Sequence, residues 1–440
     1  MIFEYTRDSR SNVHNPALVA YADRYLEIYA DFMHQVLQTG IETAPGISDA
    51  ALNERQRQLV QRGVKSRSNG NSLYSNWISP SCLACRTGVA SQTFFISLKC
   101  HRDCFFCFNP NQENYEYYTT HTRDVSQEVE ALSKKRVVLE HIALTGGEPL
   151  LHRDETLHFF ETAHENYPKA YTRLYTSGDQ ASERVLMQLE KAGLQEIRFS
   201  LRILDSLKAQ QHTLNRIADA REYIPYVMVE MPVLPDSTEQ MKRLLLELDA
   251  IGISGINLLE FCYPLYNAGI FSSRGYRVKN PPFKVLYNYW YAGGLPIAGS
   301  EEACLDLLAF AREQALEMGV HYCSLENKHS AQIYLQNFGQ VHPETTCFSP
   351  KDFFIKSAKV FGGDISKVRQ VLDQKNTLYR FNRQQGYLEF NPRDIAQLKH
   401  LNIEIGISME VVEQRGSDYF MRELKLDYTT PELFDFSKDG

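Results

Sequence analysis

The sequence predicts an α/β fold: a partial (β/α)6 barrel, with a helical N-terminal region before it and a C-terminal α+β region after it. Three observations carry this. Between residues 91 and 300, short apolar segments alternate with longer amphipathic ones at a repeat of roughly 25 to 45 residues. The short segments are apolar nearly throughout, as strands covered on both faces are. No G-x-G-x-x-G follows the first of them, which disfavours a nucleotide-binding doubly wound sheet.

The elements follow in order. "ALVAYADRYLEIYADFMHQVL" places Leu18, Tyr21, Tyr25, Ile28, Phe32 and Val36 at three- and four-residue steps, one face of a helix. Pro45 and Gly46 break the pattern, and a second helix starts near Ser48 or Asp49. "KSRSNGNSLYSN" reads as a loop. Strands are expected at 93–98, 141–146, 172–177, 196–201, 225–233 and 255–261, with helices such as "SERVLMQLEKAG" and "STEQMKRLLLELDAIG" between them. "SEEACLDLLAFAREQALEMG" is an amphipathic helix with Cys304, Leu307, Leu308, Ala311, Ala315 and Met318 on its apolar stripe. "VHYCSLENKHS" reads as a strand entering a loop, and the tail mixes the helix "DISKVRQVLDQ" with alternating strands. The linear division is therefore 1–90, 91–300 and 301–440.

At 440 residues the chain can bury a large core. Lys plus Arg total 47 and Asp plus Glu 54, a net charge of −7, so no global basic field exists for nucleic acid. The absence of a signal-like start and of a long apolar run leads to the expectation of a cytoplasmic protein with no membrane partner. Five of the nine cysteines lie between Cys82 and Cys107. In a reducing compartment such clustering points to metal binding rather than disulfides.

Two metal chemistries compete for these thiols. Cys82-x-x-Cys85 and Cys104-x-x-Cys107 satisfy a two-knuckle zinc spacing, but that leaves Cys100 unused. Alternatively, Cys100, Cys104 and Cys107 form one loop directly after the first strand, where α/β barrels carry their active sites. Three thiolates can hold three irons of a 4Fe–4S cube and leave the fourth open; ordinary ferredoxin loops close it with another cysteine. "LTGGEPLL" then ends the second strand, with glycines at 146 and 147 that permit close backbone approach and Glu148 at the edge.

This pair of motifs resembles the radical S-adenosylmethionine (SAM) superfamily over roughly residues 91 to 265. The resemblance implies a 4Fe–4S cluster on Cys100, Cys104 and Cys107, with SAM chelating the open iron. Gly146, Gly147 and Glu148 would contact the methionine amino group. "YTSGD" supplies Thr176 and Ser177 for the ribose, Ser200 and Arg202 suit the SAM carboxylate, and "GISGINLLE" resembles an adenine-contacting segment. The chemistry implied is reductive cleavage of SAM to a 5′-deoxyadenosyl radical, which takes hydrogen from an unactivated carbon.

"SPSCLACRTG", the tyrosine-rich "NPNQENYEYY" and "CSLENKH" further resemble the cobalamin-dependent radical SAM methyltransferases that act on an arginine of methyl-coenzyme M reductase. That implies C-methylation of a peptide or protein and a cobalamin site within 301–440. It also implies a mononuclear iron or zinc, for which Cys82, Cys85, Cys323 and Cys347 are the expected ligands. Tyr115 would be the catalytic tyrosine near the open iron, ahead of Tyr117 and Tyr118. The Asp-x-His-x-x-Gly signature of base-off cobalamin binding is missing. The implied partners are a peptide or protein substrate and a one-electron donor such as flavodoxin or ferredoxin. The alternatives are a cobalamin-independent peptide epimerase or cross-linking enzyme, and, outside enzymes, a zinc-ribbon binding module.

Overall fold

The computed structural model describes residues 1–287 and 293–440. Packing divides the chain into two units. One comprises Thr39–Pro282 and Tyr289–Ala331; the other comprises Met1–Gln38, Phe283–Asn288 and Gln332–Gly440. This differs from the linear division at 90 and 300, because both ends of the chain belong to the same unit.

The first unit is built on a nine-stranded sheet. Its strands are β1 (Lys65–Arg67), β2 (Ser72–Ser75), β3 (Ser91–Phe95), β4 (His141–Thr145), β5 (Tyr171–Thr176), β6 (Glu196–Phe199), β7 (Tyr226–Val233), β8 (Gly255–Glu260) and β9 (Gly319–Cys323). Their order is β1-β2-β9-β8-β7-β6-β5-β4-β3. All pairs from β3 through β9 are parallel, while β9–β2 and β2–β1 are antiparallel. The six expected strands are all present. A seventh parallel strand, β9, joins them, and the stretch read as a loop at 65–76 contributes β1 and β2. Among the described residues the order does not close on itself, so the pairing establishes an open α/β sheet and no closed barrel.

Helices on the connections cover the sheet with the residues that their periodicity marked. Glu183–Lys191 buries Val185, Leu186 and Leu189, and Thr238–Ile251 buries Met241, Leu244, Leu245 and Leu248. Each such side chain contributes about 1.5–3 kcal/mol on leaving water. Thr238–Ile251 stops where Gly252 adopts φ +75°, a left-handed cap. Ser300–Glu313 buries Cys304, Leu307, Leu308 and Ala311 as expected but stops before Ala315, which is exposed at φ +52°, and before Met318, and Leu325–Asn337 is a helix where a loop was expected.

The second unit has strands β10 (Thr346–Phe348), β11 (Ile355–Phe361), β12 (Tyr379–Asn382), β13 (Tyr387–Phe390), β14 (Ile405–Arg415) and β15 (Asp418–Thr429). They pair antiparallel in the order β12-β13-β11-β14-β15, with β10 on β11. One face buries Ala358, Val360, Leu388, Phe390 and Ile407 with Val368 and Leu372 of the helix Asp364–Gln374. Against the other face, Leu18 and Tyr21 of the N-terminal helix Pro16–Gln38 pack on Phe361, Tyr387 and Tyr428. Ile28, expected on that helix's apolar face, is exposed. No described helix in either unit is long and apolar enough to cross a membrane.

Candidate active site

The site is built where β3, β4, β5 and β6 end. Beyond β3 the chain passes between two segments. On one side Leu98 N donates to Tyr118 O (2.8 Å) and Arg123 N to Ile96 O (2.8 Å). On the other, Gly147 N donates to Ser97 O (3.0 Å) and Glu148 N to Lys99 O (2.8 Å). The Gly-Gly turn is thus laced to the residues that lead into the cysteine loop. A Cβ on Gly146, at φ +126°, would lie 2.5 Å from Ser97 O, and one on Gly147 would collide with the Lys99 carbonyl. These two glycines exist for close approach, here of backbone to backbone.

Cys100 is exposed, and Cys104 and Cys107 are half-buried. Burial pushes the Cys107 thiol up to about 11, with the Asn109 amide opposing and the Cys104 and Cys100 sulfurs adding to the rise. Burial likewise raises Cys100, with Glu148 and Cys104 among the further causes. The three sulfurs therefore lie within electrostatic reach of one another. Among the described residues no three His, Cys, Asp or Glu side chains converge where a single ion would sit.

Tyr115 opens the helix Tyr115–Thr120. Its phenol is raised by burial and then by Cys107 and Cys100, which places it beside the loop. Tyr117 instead stacks on His121 at 4.0 Å, and Tyr118 packs edge-on against Phe95 at 5.2 Å. Of the three tyrosines, position 115 is the one beside the thiols.

The buried Glu148 carboxylate is fully engaged by the protein. It accepts from Leu150 N (3.1 Å), Thr176 Oγ1 (2.7 Å) and Ser177 N (2.6 Å). Glu148 and Thr176 thereby clamp the end of β4 to the end of β5. Ser177 Oγ donates to Asp179 (3.2 Å). Ser200 is exposed, and its N–H donates to Thr176 O (2.8 Å), which prolongs the β5–β6 pairing. Arg202 bridges Asp205 (2.6 Å) and donates to Cys104 Sγ (3.5 Å), while its buried Nε has no partner in the structure. In "GISGINLLE", Gly252 caps a helix, Asn257 lies beside Cys82, and Glu260 accepts from Lys279 and Leu325 N.

Four charged residues not singled out in the sequence complete the rim. Arg102 donates to Asp179 (2.6 Å) and to Asp205 (2.8 Å), and His101 contacts Asp179. Burial opposes it, yet Arg102 and His101 hold the Asp179 carboxyl below its ordinary range. A cleft of about 220 Å³ follows, lined by Cys104, Phe105, Phe106, Arg202, Ile203 and Met231. It opens beside a basin of about 660 Å³ that Arg102, Asp179 and Lys208 border. His101 and Arg102 lie inside the cysteine motif, but nothing in the sequence marks their partners 77 and 103 residues away.

The second set of cysteines divides. Cys82 Sγ accepts from Arg198 (3.3 Å) and Asn257 (3.3 Å). Burial raises the Cys85 thiol, with Cys82 the next cause, although the side chain keeps solvent access. Burial pushes Cys323 up to about 12; Lys328 opposes this, and Cys85 and Cys82 add to it. These three are neighbours in the first unit. Cys347 belongs to the second unit, on β10, where the charges acting on it are those of Arg393, Lys356 and Asp352.

Residues 94–248 match the family model of the radical SAM superfamily. A Methanocaldococcus jannaschii protein, provisionally named a glycyl-radical enzyme activating enzyme, is 25% identical over 259 residues, covering 57% of this chain and 64% of its own length. Streptococcus suis SuiB bound to S-adenosylmethionine aligns with TM-score 0.40 and 15% identity over 54% of this chain and 50% of that one. SuiB bound to the precursor peptide SuiA aligns with TM-score 0.39 and 14% identity over 75% and 67%. Native anSMEcpe with bound AdoMet and a peptide aligns with TM-score 0.33 and 16% identity over 40% and 52%. The chain thus spans about two thirds of the curated relative and half to two thirds of the solved structures. The thiol loop, the Gly146–Glu148 turn and the Thr176–Ser177 strand end all fall inside the segment that matches the radical SAM superfamily model.

Proposed function

We propose that this chain modifies an unactivated carbon of a peptide or protein, with C-methylation assisted by cobalamin as the first reading. The observation that carries the radical step is the grouping of Cys100, Cys104 and Cys107 with Tyr115 on one side and the Gly146–Glu148 turn on the other. The residues fit the cofactors: three mutually close thiols for a 4Fe–4S cluster, and the orphaned buried Arg202 Nε for the SAM carboxylate. When bound, cluster and SAM supply a 5′-deoxyadenosyl radical able to take hydrogen from carbon. The chain's own residues hold the geometry. Glu148 and Thr176 fix the turn against β5, Arg202 orients the Cys104 sulfur, and Phe105 and Phe106 keep water from the cleft. Tyr115 is proposed as the side chain that faces the open iron. Thr176, Ser177 and Ser200 line the nucleoside path in a partial barrel.

The reading keeps Cys82, Cys85 and Cys323 as candidate ligands of a mononuclear iron or zinc; Cys347, the expected fourth, belongs to the second unit and is not assigned. Cobalamin is assigned to the C-terminal region, where Tyr334 stacks on Phe338 (4.6 Å) beside exposed Leu335 and Val341, an apolar surface suited to a corrin face. A one-electron donor such as flavodoxin or ferredoxin is the proposed redox partner. A second reading, protein modification without cobalamin, is favoured by the name of the Methanocaldococcus jannaschii relative. Anaerobic turnover with SAM and reductant tests the proposal. Formation of 5′-deoxyadenosine supports the radical step, and its absence from cluster-loaded protein overturns it. The visible spectrum of the purified protein separates the two readings, because corrin absorbs apart from the cluster.

A further inference from the structure

Residues 105–107 lie in no helix or strand, so their carbonyls need partners from elsewhere. Two of the three find them on one dipeptide about 160 positions away. Tyr266 Oη donates to Cys107 O, and Asn267 Nδ2 donates to Phe105 O at 3.0 Å. The same segment is tied back, because Asn111 Nδ2 donates to Pro264 O at 2.7 Å. Arg274 stands over the Phe105 ring at 5.2 Å, and that ring packs edge-on against Phe271 at 5.1 Å.

The backbone that presents the dipeptide is unusual. Leu265 has φ 65° and Asn267 φ 59°, both left-handed. A leucine there is strained, so the surroundings must hold it. Asn tolerates that conformation better than most residues, and here its amide also serves as the donor.

We propose that Tyr266 and Asn267 are positioning residues for the cysteine loop: by gripping the carbonyls of Phe105 and Cys107, they set the separation of the Cys104 and Cys107 sulfurs. The inference rests on the cluster reading above and names residues that lie outside both motifs. Each acts through the loop backbone: Tyr266 on the carbonyl of Cys107, and Asn267 on that of Phe105, the residue after Cys104. Outer partners of metal ligands are worth about 10- to 100-fold in metal affinity.

The test compares Tyr266→Phe, Asn267→Gly and Asn267→Asp with the wild type in the full chain. Each protein is reconstituted anaerobically, challenged with an iron chelator, and followed by iron release and by the electron paramagnetic resonance spectrum of the reduced cluster. Gly accepts the left-handed backbone freely, so Asn267→Gly removes only the donor, and Asn267→Asp retains size without the donor. Iron loss about 10- to 100-fold faster in Tyr266→Phe and Asn267→Gly, with an altered spectrum, supports the grip. Should Tyr266→Phe fail to fold, Asn267→Gly decides alone. Wild-type retention and spectrum in Asn267→Gly overturn the grip while leaving the cluster reading intact. A wild-type chain that takes up no cluster overturns both.

Discussion

Gly146→Ala is the sharpest probe of how the site is held. The new Cβ would sit 2.5 Å from Ser97 O and 2.9 Å from Phe95 Cβ. An ordinary contact is about 3.4 Å, so roughly 0.9 Å must be recovered by movement. The backbone at φ +126° also disfavours any L side chain, at about 2 kcal/mol. Overpacking against a carbonyl adds about 2 kcal/mol. The reduced entropy of the unfolded chain returns about 0.7 kcal/mol. The expected cost is therefore about 3 kcal/mol if the turn stays in place and keeps its Gly147 N to Ser97 O bond. If the turn instead moves by the missing ~0.9 Å, the cysteine loop moves with it, and a displacement near 1 Å costs on the order of 100-fold in rate. Urea unfolding, iron and sulfide content after reconstitution, and 5′-deoxyadenosine formation read both outcomes. Gly363→Ala is the control, since its Cβ would meet nothing within 4 Å. Wild-type stability together with wild-type product formation in Gly146→Ala would refute the reasoning.

Cys104→Ala should abolish 5′-deoxyadenosine, and turnover that persists would remove the loop from the radical step. Lys279→Ala leaves Glu260 and Glu301 buried without the cation that bridges them at 2.8 and 3.4 Å, and should destabilise the first unit by about 3–5 kcal/mol in urea unfolding. The Asp179 carboxyl is held below its ordinary value of 3.8, so the unfolded chain takes up its proton first on acidification. Its contribution is present above that pH and lost below it. Melting temperature should fall more steeply with acid in wild type than in Asp179→Asn, and parallel curves would contradict the pairing. If Tyr115 faces the open iron, removing iron with a chelator should change its absorption; an unchanged tyrosine spectrum after iron loss would place the phenol away from the cluster.

Much of the parallel sheet was legible because its strands are short apolar runs between amphipathic helices, a pattern of local residue choice. The cysteine loop and the Gly-Gly-Glu turn were visible in the sequence for a related reason: each lies within one contiguous segment. The strand β9 was read as no more than a strand entering a loop, since its place beside β8 depends on the register Gly319 to Gly255, not on its own residues. The antiparallel pair β1–β2 was hidden by Ser, Asn and Gly that serve turn and strand edge alike.

What the amino acids alone determined is the type of chemistry: three closely spaced thiols after a strand, and small residues where backbones must touch. What only the tertiary structure decided is which groups meet across long sequence separations. Glu148 closes on Thr176, Arg202 reaches Cys104, and Tyr266 with Asn267 grips the loop between the thiols. The N-terminal helix shares a core with the C-terminal sheet for the same reason. Such contacts are set by where folded strands end and how far a side chain extends. Neither quantity is written in any local pattern of residues.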